Sequence, residues 1–299
     1  MNLRQLELLR AVIRCETTVG AARELGLSQP AVSNAVKHLE DQLGFALFER
    51  INNRLFPTQE ARTLYQDSEP IFAMHTALEA RVQDLRENRA GRIRIIATPP
   101  LGYGPIPVAL QRFLARRPKV RISFDVLRLE DVAEKVELGV SELGFVLGIG
   151  DHPALKVEPV YEGRMVCALH RSHPLAGRDV ITPADLRDLP FIALERGTRL
   201  GTAVRQAFEA AGEPFRHAVE VRYCHTACVL AASGIGVAVV DPFSPAGSGR
   251  PDLAVVPFEP ATPVSAYVVA SRSRPLSRLA GDFLKEVRMA LDEATARLP

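Results

Sequence analysis

Between Thr17 and Gly44 the helix starts and stops come so close together that few arrangements remain open to this chain. Thr17 or Thr18 is placed to cap a short helix over about Val19–Leu25, and Gly26 ends it by offering a left-handed position. Two residues later Ser28 caps another helix, with Pro30 in its first turn, where a missing N–H costs nothing. That helix carries Ala31, Val32, Val36, Leu39 and Leu43 at helical spacing and stops at Gly44. An earlier helix over Leu3–Cys15 shows the same period through Leu6, Leu9 and Ile13. Two helices joined by a tight glycine turn form a helix-turn-helix. Ala22 lets the helices approach, Gly26 makes the turn and Val32 fills the space between them. A plain helical hairpin satisfies the same three positions, so they do not decide the matter alone.

The longer run does. Ala21-Ala22, Leu25, Ser28-Gln29-Pro30-Ala31-Val32-Ser33, Leu39-Glu40, Leu43-Gly44, Leu47-Phe48 and Arg50, followed by Arg54 and Pro57-Thr58, resemble the DNA-binding module of LysR-type transcriptional regulators. Ala61 departs from the glycine common there, which leaves the module intact. The resemblance implies a winged helix-turn-helix over residues 1–58 and double-stranded operator DNA as partner. The residues support this independently. Gln29, Ser33, Asn34 and Lys37 share one helix face, beside Pro30. Gln and Asn can bond adenine in bidentate fashion, Ser suits several base edges, and Lys suits phosphate. The bland alternative is a solvated polar face. Arg50-Ile-Asn-Asn-Arg54 reads as a wing whose Arg50 and Arg54 reach the DNA backbone or minor groove.

Total charge makes no such case. Lys plus Arg number 37 against 35 Asp plus Glu. Residues 1–65 hold 8 basic and 7 acidic side chains, so nucleic-acid binding must rest on placement.

Residues 59–90 read as one long helix. Leu64, Ile71, Leu78 and Leu85 are seven apart, and Ala61, Ser68, His75 and Val82 form a second, half-polar seam. This resembles the family's linker helix, which implies a homodimer pairing further into a homotetramer. The alternative is a helix packed on its own domain. Pro70 removes one helical hydrogen bond, and a bend is expected near Asp67–Pro70.

From residue 91 apolar strand runs alternate with amphipathic helices. Strands are expected at Arg92–Thr98, Val120–Leu127 and Leu143–Leu147, with helices at Pro105–Arg116 and Leu129–Leu138 between them. Such an order implies a parallel sheet covered on both faces. A second unit begins near Met165 and ends with a strand at Gly236–Val240. The chain returns through Val264–Ala270 to a closing helix at about Leu276–Ala296. HPLAGR (173–178), TPADLRDLPFI (182–192) and VLAASGIGVAVV (229–240) resemble the effector-binding half of the same regulators, itself similar to periplasmic binding proteins. The expected architecture over 91–299 is thus α/β and two-lobed. Lobe I is 91–162 with 264–299, lobe II is 163–263, and a small-molecule effector sits between them.

Such a cleft lies at strand C-termini and helix N-termini, where amides are unpaired. The candidates there are Thr98, Pro99, Pro100 and Leu101 after the first strand, Val146 and Gly148 after the third, Thr198, His225 and Thr226 at helix starts, and Asp241. Each could instead be an ordinary cap or turn residue. Asp241-Pro242-Phe243, with LFER, PTQEA and GYGP (102–105), is similar to the octopine- and nopaline-responsive branch, which implies an amino-acid-derived or opine effector. Thr98 and the amides after it would take its carboxylate and Asp241 its cationic nitrogen. The rival role for Asp241 is to cap the turn at Pro242.

Other classes find little support. The first sixteen residues interleave Arg4, Glu7, Arg10 and Arg14 with apolar ones, unlike a signal peptide. The uncharged run Tyr223–Val240 contains His225, Ser233, Gly234 and Gly236 and reads as a helix and a strand, not a membrane span. A cytoplasmic protein is expected, with RNA polymerase as a further candidate partner. No P-loop, nucleophile elbow or dinucleotide fingerprint suggests an enzyme or a cofactor. Cys224-His225-x-x-Cys228 raises a redox- or metal-responsive regulator as the alternative, but two thiols and one imidazole leave a tetrahedral metal site incomplete.

Overall fold

A computed structural model describes residues 1–51, 54–86 and 91–296. The chain divides into two compact units, Met1–Ala80 and Arg81–Pro299.

In the first unit α1 (Leu3–Cys15), α2 (Thr18–Leu25) and α3 (Gln29–Leu43) are followed by the antiparallel pair β1 (Phe48–Ile51) and β2 (Arg54–Pro57), then α4 (Gln59–Arg86). The helix ends are set by local chemistry. The Thr17 and Ser28 hydroxyls accept from the Gly20 and Ala31 N–H groups, and Gly26 and Gly44 end α2 and α3 at φ 66° and 80°. Leu9, Val12, Ala21, Ala22, Val32, Val36, Leu39 and Leu47 close one core between the helices. The Glu40 carboxylate accepts from the backbone N–H groups of Leu47 and Phe48, which ties α3 to the start of the wing.

α4 continues through Pro70. Its first half does not present a free seam. Ala61 and Ser68 are buried, Leu64 is half-buried against the core of its own unit, and the Arg10 guanidinium stacks on Phe72 at 4.1 Å. Packing on its own domain therefore holds for this half. Farther along, Ile71, Met74, Leu78 and Val82 are exposed. The Leu85 side chain lies outside the described residues.

The second unit holds two five-stranded sheets. The first contains β3 (Arg92–Ala97), β4 (Arg121–Val126), β5 (Leu143–Leu147), β6 (Leu155–Arg164) and, late in the chain, β12 (Pro263–Ser271). α5 (Pro99–Tyr103), α6 (Pro105–Arg116) and α7 (Leu129–Glu137) join the early strands. The second sheet contains β7 (Val166–His170), β8 (Phe191–Leu194), β9 (Val219–Val221), β10 (Val237–Val240) and β11 (Leu253–Pro257). Its helices are α8 (Pro183–Leu186), α9 (Arg199–Ala210), α10 (Cys224–Ala232) and α11 (Ser244–Gly247), and α12 (Arg278–Thr295) closes the chain on the first lobe.

Neither sheet is wholly parallel, contrary to the expectation from strand-helix alternation. β3 runs parallel to β4 and β5, but β12 lies antiparallel between β5 and β6. A strand that arrives from the neighbouring lobe through a short crossing enters the sheet from the opposite end. β6 and β12 pair from Leu155↔Ser271 to Arg164↔Pro263, and the Met165 N–H donates to the Thr262 carbonyl at 2.8 Å. The two crossings thus lie side by side. In the second sheet β8 runs parallel to β9 and β10, whereas β7 is antiparallel to β10 and β11. β6 and β11 escape the sequence pattern because their alternation is weak.

The central strands β3 and β5 of the first sheet are buried on both faces, which explains their apolar runs. Ile95 and Phe145 point toward α6 and α12 and meet Phe113 and Phe283, while Ile96 and Val146 point to the α7 side and meet Val132 and Val136. The second lobe packs around Phe191, Phe208 and Phe215, whose rings lie 5.1–5.5 Å apart. Phe243, just after β10, belongs to the other lobe's core, where it meets Tyr161 edge-on at 4.9 Å.

Candidate nucleic-acid interface and ligand cleft

On α3 the buried row Val32, Val36 and Leu39 turns the opposite row outward. Gln29, Pro30, Asn34 and Lys37 are exposed, and Ser33 is half-buried. The Gln29 amide donates to the Thr18 hydroxyl at 3.1 Å, which links the starts of α2 and α3 and orients the side chain at the entry of the helix. Arg54, on the wing, is largely exposed and 3.6 Å from Glu16. The Arg50 side chain and residues 52–53 lie outside the described residues.

In the second unit a cleft of about 200 Å³ opens between the lobes. From the first lobe it is lined by Thr98, Pro99, Pro100, Arg128, Leu129, Glu130 and Leu147. From the second it is lined by Leu194, Gly197, Thr198, Arg199, Leu200, Arg222, Tyr223 and Cys224. The start of one helix after another contributes to this wall, because parallel strands deliver the chain to the same edge each time.

Four sequence candidates meet there: Thr98, Pro99, Pro100 and Thr198. Their chemistry is narrower than expected. Pro99 and Pro100 carry no N–H, and the Gly102 N–H donates to the Thr98 carbonyl, so the Leu101 amide is at most what remains for an anion at the start of α5. The Thr98 hydroxyl makes only a long 3.5 Å contact to the Phe145 carbonyl and stays available. Thr198 mainly caps α9: it donates to the Glu195 carbonyl at 2.8 Å and accepts from the Gly201 N–H at 3.0 Å.

Others are displaced. The side chains of Leu101 and Val146 are buried in the cores on either face of the first sheet, as the alternation along a strand and helix requires. Gly148 lies beside the cleft at φ 62°, and a Cβ there would stand 3.1 Å from Arg199 Nε. The His225 ring lies tilted against Tyr103 of the first lobe, centroids 5.3 Å apart, and Thr226 is exposed next to it; neither lines the cleft. Asp241 is corrected most firmly. It is fully buried, and its Oδ1 accepts from the Phe243 and Ser244 N–H groups at 2.8 Å each while Oδ2 accepts from the Ser244 hydroxyl at 2.6 Å. The capping role wins, since a saturated buried carboxylate has nothing left for a ligand.

The sequence reading missed Arg128, Glu130, Arg199 and Arg222. A signal was present: three arginines stand at or just before helix N-termini, where the helix dipole disfavours a cation. The cysteines of the alternative reading are inert here. Burial pushes the Cys224 and Cys228 thiols well above the ordinary range, opposite to a reactive thiolate. Among the described residues no cluster of three metal-ligating side chains occurs. Among the described residues, too, no helix is long and apolar enough to cross a membrane.

Comparison with known proteins places both halves. Residues 3–62 match the bacterial regulatory helix-turn-helix protein, lysR family, and residues 86–292 match the LysR substrate binding domain. Regulatory protein NocR of Agrobacterium fabrum is 30% identical over 99% of this chain and 97% of its own length. The octopine catabolism/uptake operon regulatory protein OccR of Rhizobium meliloti is 33% identical over 86% and 85%. The crystal structure of CbnR, a LysR family transcriptional regulator, superposes with a TM-score of 0.76 at 23% identity over 97% of this chain and 99% of that one, a likeness of fold. These relatives bear the names of regulators, not of enzymes. With a winged reading head, a cleft between two lobes and matches along its whole length, the chain belongs to the LysR family of DNA-binding, effector-responsive transcriptional regulators.

Proposed function

We propose that the chain reads operator DNA with Gln29, Pro30, Ser33, Asn34 and Lys37 of α3, flanked by Arg50 and Arg54 of the wing, and that a small molecule held in the interlobe cleft switches it. The observation that carries the DNA assignment is the outward polar row on α3, opposed to the buried Val32, Val36 and Leu39. The reading places the protein in the cytoplasm with its DNA, and RNA polymerase becomes a partner if the switch activates transcription. Retrieval of genomic fragments by the purified protein tests it. Wild type should enrich a discrete set of sites, and a Ser33→Ala/Asn34→Ala double variant should lose that selectivity. Equal enrichment by both would end the assignment.

Assembly follows from α4. Ile71, Met74, Leu78 and Val82 recur on an exposed face, which supports pairing of two chains; pairing of those pairs into a tetramer rests on the resemblance to the family. Paired reading heads need half-sites one helical turn of DNA, ~34 Å, or a multiple of it apart.

The effector we infer is an amino acid or opine. The name of OccR, a relative at 33% identity that regulates octopine catabolism and uptake, supports an opine, and the cleft of about 200 Å³ supports a molecule of that size. A ligand that touches both lobes binds the closed state better than the open one, and that difference is what a switch requires.

A further inference from the structure

Three cations and one anion line the cleft: Arg128, Arg199 and Arg222 against Glu130. The three arginines are placed against the field of the chain. Arg128 is the cap residue of α7, Arg199 opens α9, and Arg222 stands one residue before the cap of α10, so each faces the positive end of a helix. Only Arg222 is answered, by Glu195 at 2.6 Å. Arg128 and Arg199 form no ion pair with any of the described residues. They also belong to opposite lobes, and Arg199 extends across the cleft until it lies against Gly148 of the first lobe. Any side chain at Gly148 would crowd that guanidinium, and the left-handed backbone there favours glycine in any case.

We infer that the effector carries two carboxylates, one taken by Arg128 from the first lobe and one by Arg199 from the second, with a cationic nitrogen held near Glu130. This rests on the cleft being the effector site. Guanidinium and carboxylate match in planar, two-pronged fashion, so an arginine on each wall recognises a dicarboxylate by the spacing of its acids as well as its charge. With Arg222 neutralised by Glu195, the wall keeps a surplus of one positive charge, which glutamate, with two carboxylates and one ammonium group, balances; octopine presents the same two carboxylates and amine and carries its further guanidinium beyond them. The same grip supplies the force for closure. Each carboxylate relieves a cation stranded at a helix N-terminus, and the ligand backbone then ties the lobes together. The nitrogen-binding role expected of Asp241 passes to Glu130, an exposed carboxylate on the wall.

Calorimetric titration of the full chain tests this with L-glutamate, octopine, glutarate, L-glutamine and inorganic phosphate. At least one of the two nitrogen-bearing dicarboxylates, glutamate or octopine, should bind. Arg128→Gln and Arg199→Gln should each weaken it at least tenfold without changing the melting temperature of the free protein, since both side chains are exposed. Glutamine, with one carboxylate, should bind at least tenfold more weakly than glutamate, or than octopine if that is the binder. The inference is overturned if neither glutamate nor octopine binds, if glutamine or phosphate binds best, or if either arginine variant binds as wild type does. A cleft-filling Gly197→Trp variant separates the two levels. A monocarboxylate lost on filling the cleft overturns the dicarboxylate alone, whereas a ligand that survives the filling overturns the effector cleft itself.

Discussion

A single buried carboxylate shows how far a residue's role depends on its surroundings. Asp241 accepts three hydrogen bonds, from two backbone amides and the Ser244 hydroxyl, and so holds the turn that carries Phe243 away from its own lobe. Burial nevertheless outweighs those bonds and raises its pKa above the ordinary 3.8. The folded chain therefore holds this proton more tightly than the unfolded chain does. Its contribution to stability is fully present below 3.8 and falls as pH rises through the raised value. Asp241→Asn removes that titration. Thermal unfolding should show the variant gaining on wild type as pH rises above 3.8; parallel pH curves would show that the carboxylate titrates alike in both states. Asp241→Ala leaves two buried amides without an acceptor and should cost about 2–4 kcal/mol at low pH, the gap narrowing as pH rises through the raised value. On α3 the roles divide by ligand atom. Asn34→Ala should relax selectivity at one base pair at a cost of ~1–3 kcal/mol, whereas Lys37→Ala should weaken all sites alike and reduce the salt slope by about 1. Binding isotherms across a salt series on matched and mismatched sites distinguish the two.

At the scale of elements, α4 is two helices in one. Its first half is a wall of the reading head, with Ala61 and Ser68 buried and Arg10 stacked on Phe72; its second half offers Ile71, Met74, Leu78 and Val82 to solvent. One heptad register therefore serves two interfaces. Leu64→Asp buries a charge in the head and should destabilise it by about 1–3 kcal/mol. Leu78, which is 60% exposed in the single chain, tolerates charge within its own unit. Leu78→Asp should instead dissociate pairs, with the melting temperature of the head little changed. Sedimentation velocity beside thermal unfolding separates the outcomes, and a folded Leu78→Asp protein that sediments as wild type would remove α4 from the interface.

The second unit as a whole is joined by more than its two crossing strands. The Phe243 ring from the second lobe is buried in the first lobe's core, and α11 behind it packs on α5 so closely that a Cβ at Gly247 would stand 2.6 Å from the Tyr103 carbonyl oxygen. A backbone oxygen cannot swing aside as a side chain can. Gly247→Ala must part α11 from α5, and α5 carries Thr98, Pro99 and Pro100 into the cleft. The expected outcome is a loss of ~1–3 kcal/mol in stability together with a weakened effector response in a reporter or DNA-binding assay. Phe243→Ala should cost about 3–5 kcal/mol through the cavity it leaves. If either variant responds to effector as wild type does, the plug is a packing feature without a part in the switch.

Much of this molecule is written locally. Ser28, Pro30, Gly26 and Gly44 determine where α2 and α3 begin and end by hydrogen bonds and backbone angles within a few residues, so the reading head was legible from the chain alone. The alternation of apolar runs with amphipathic helices likewise announced α/β units, because a strand buried on both faces must be apolar throughout, and the resemblance to LysR-type regulators implied their two-lobed arrangement. What tertiary structure alone decided are the matters that depend on residues far apart in sequence. β12 lies antiparallel between β5 and β6 because the chain comes back from the other lobe, a fact no local period records. Val146 and Asp241 follow strands just as cleft residues should, yet one points into a core and the other is saturated by its own turn. Arg128 and Arg199, unremarkable as single arginines, face a common cleft only when two lobes are packed together, since a binding site is a convergence of side chains and the sequence holds these two 71 residues apart.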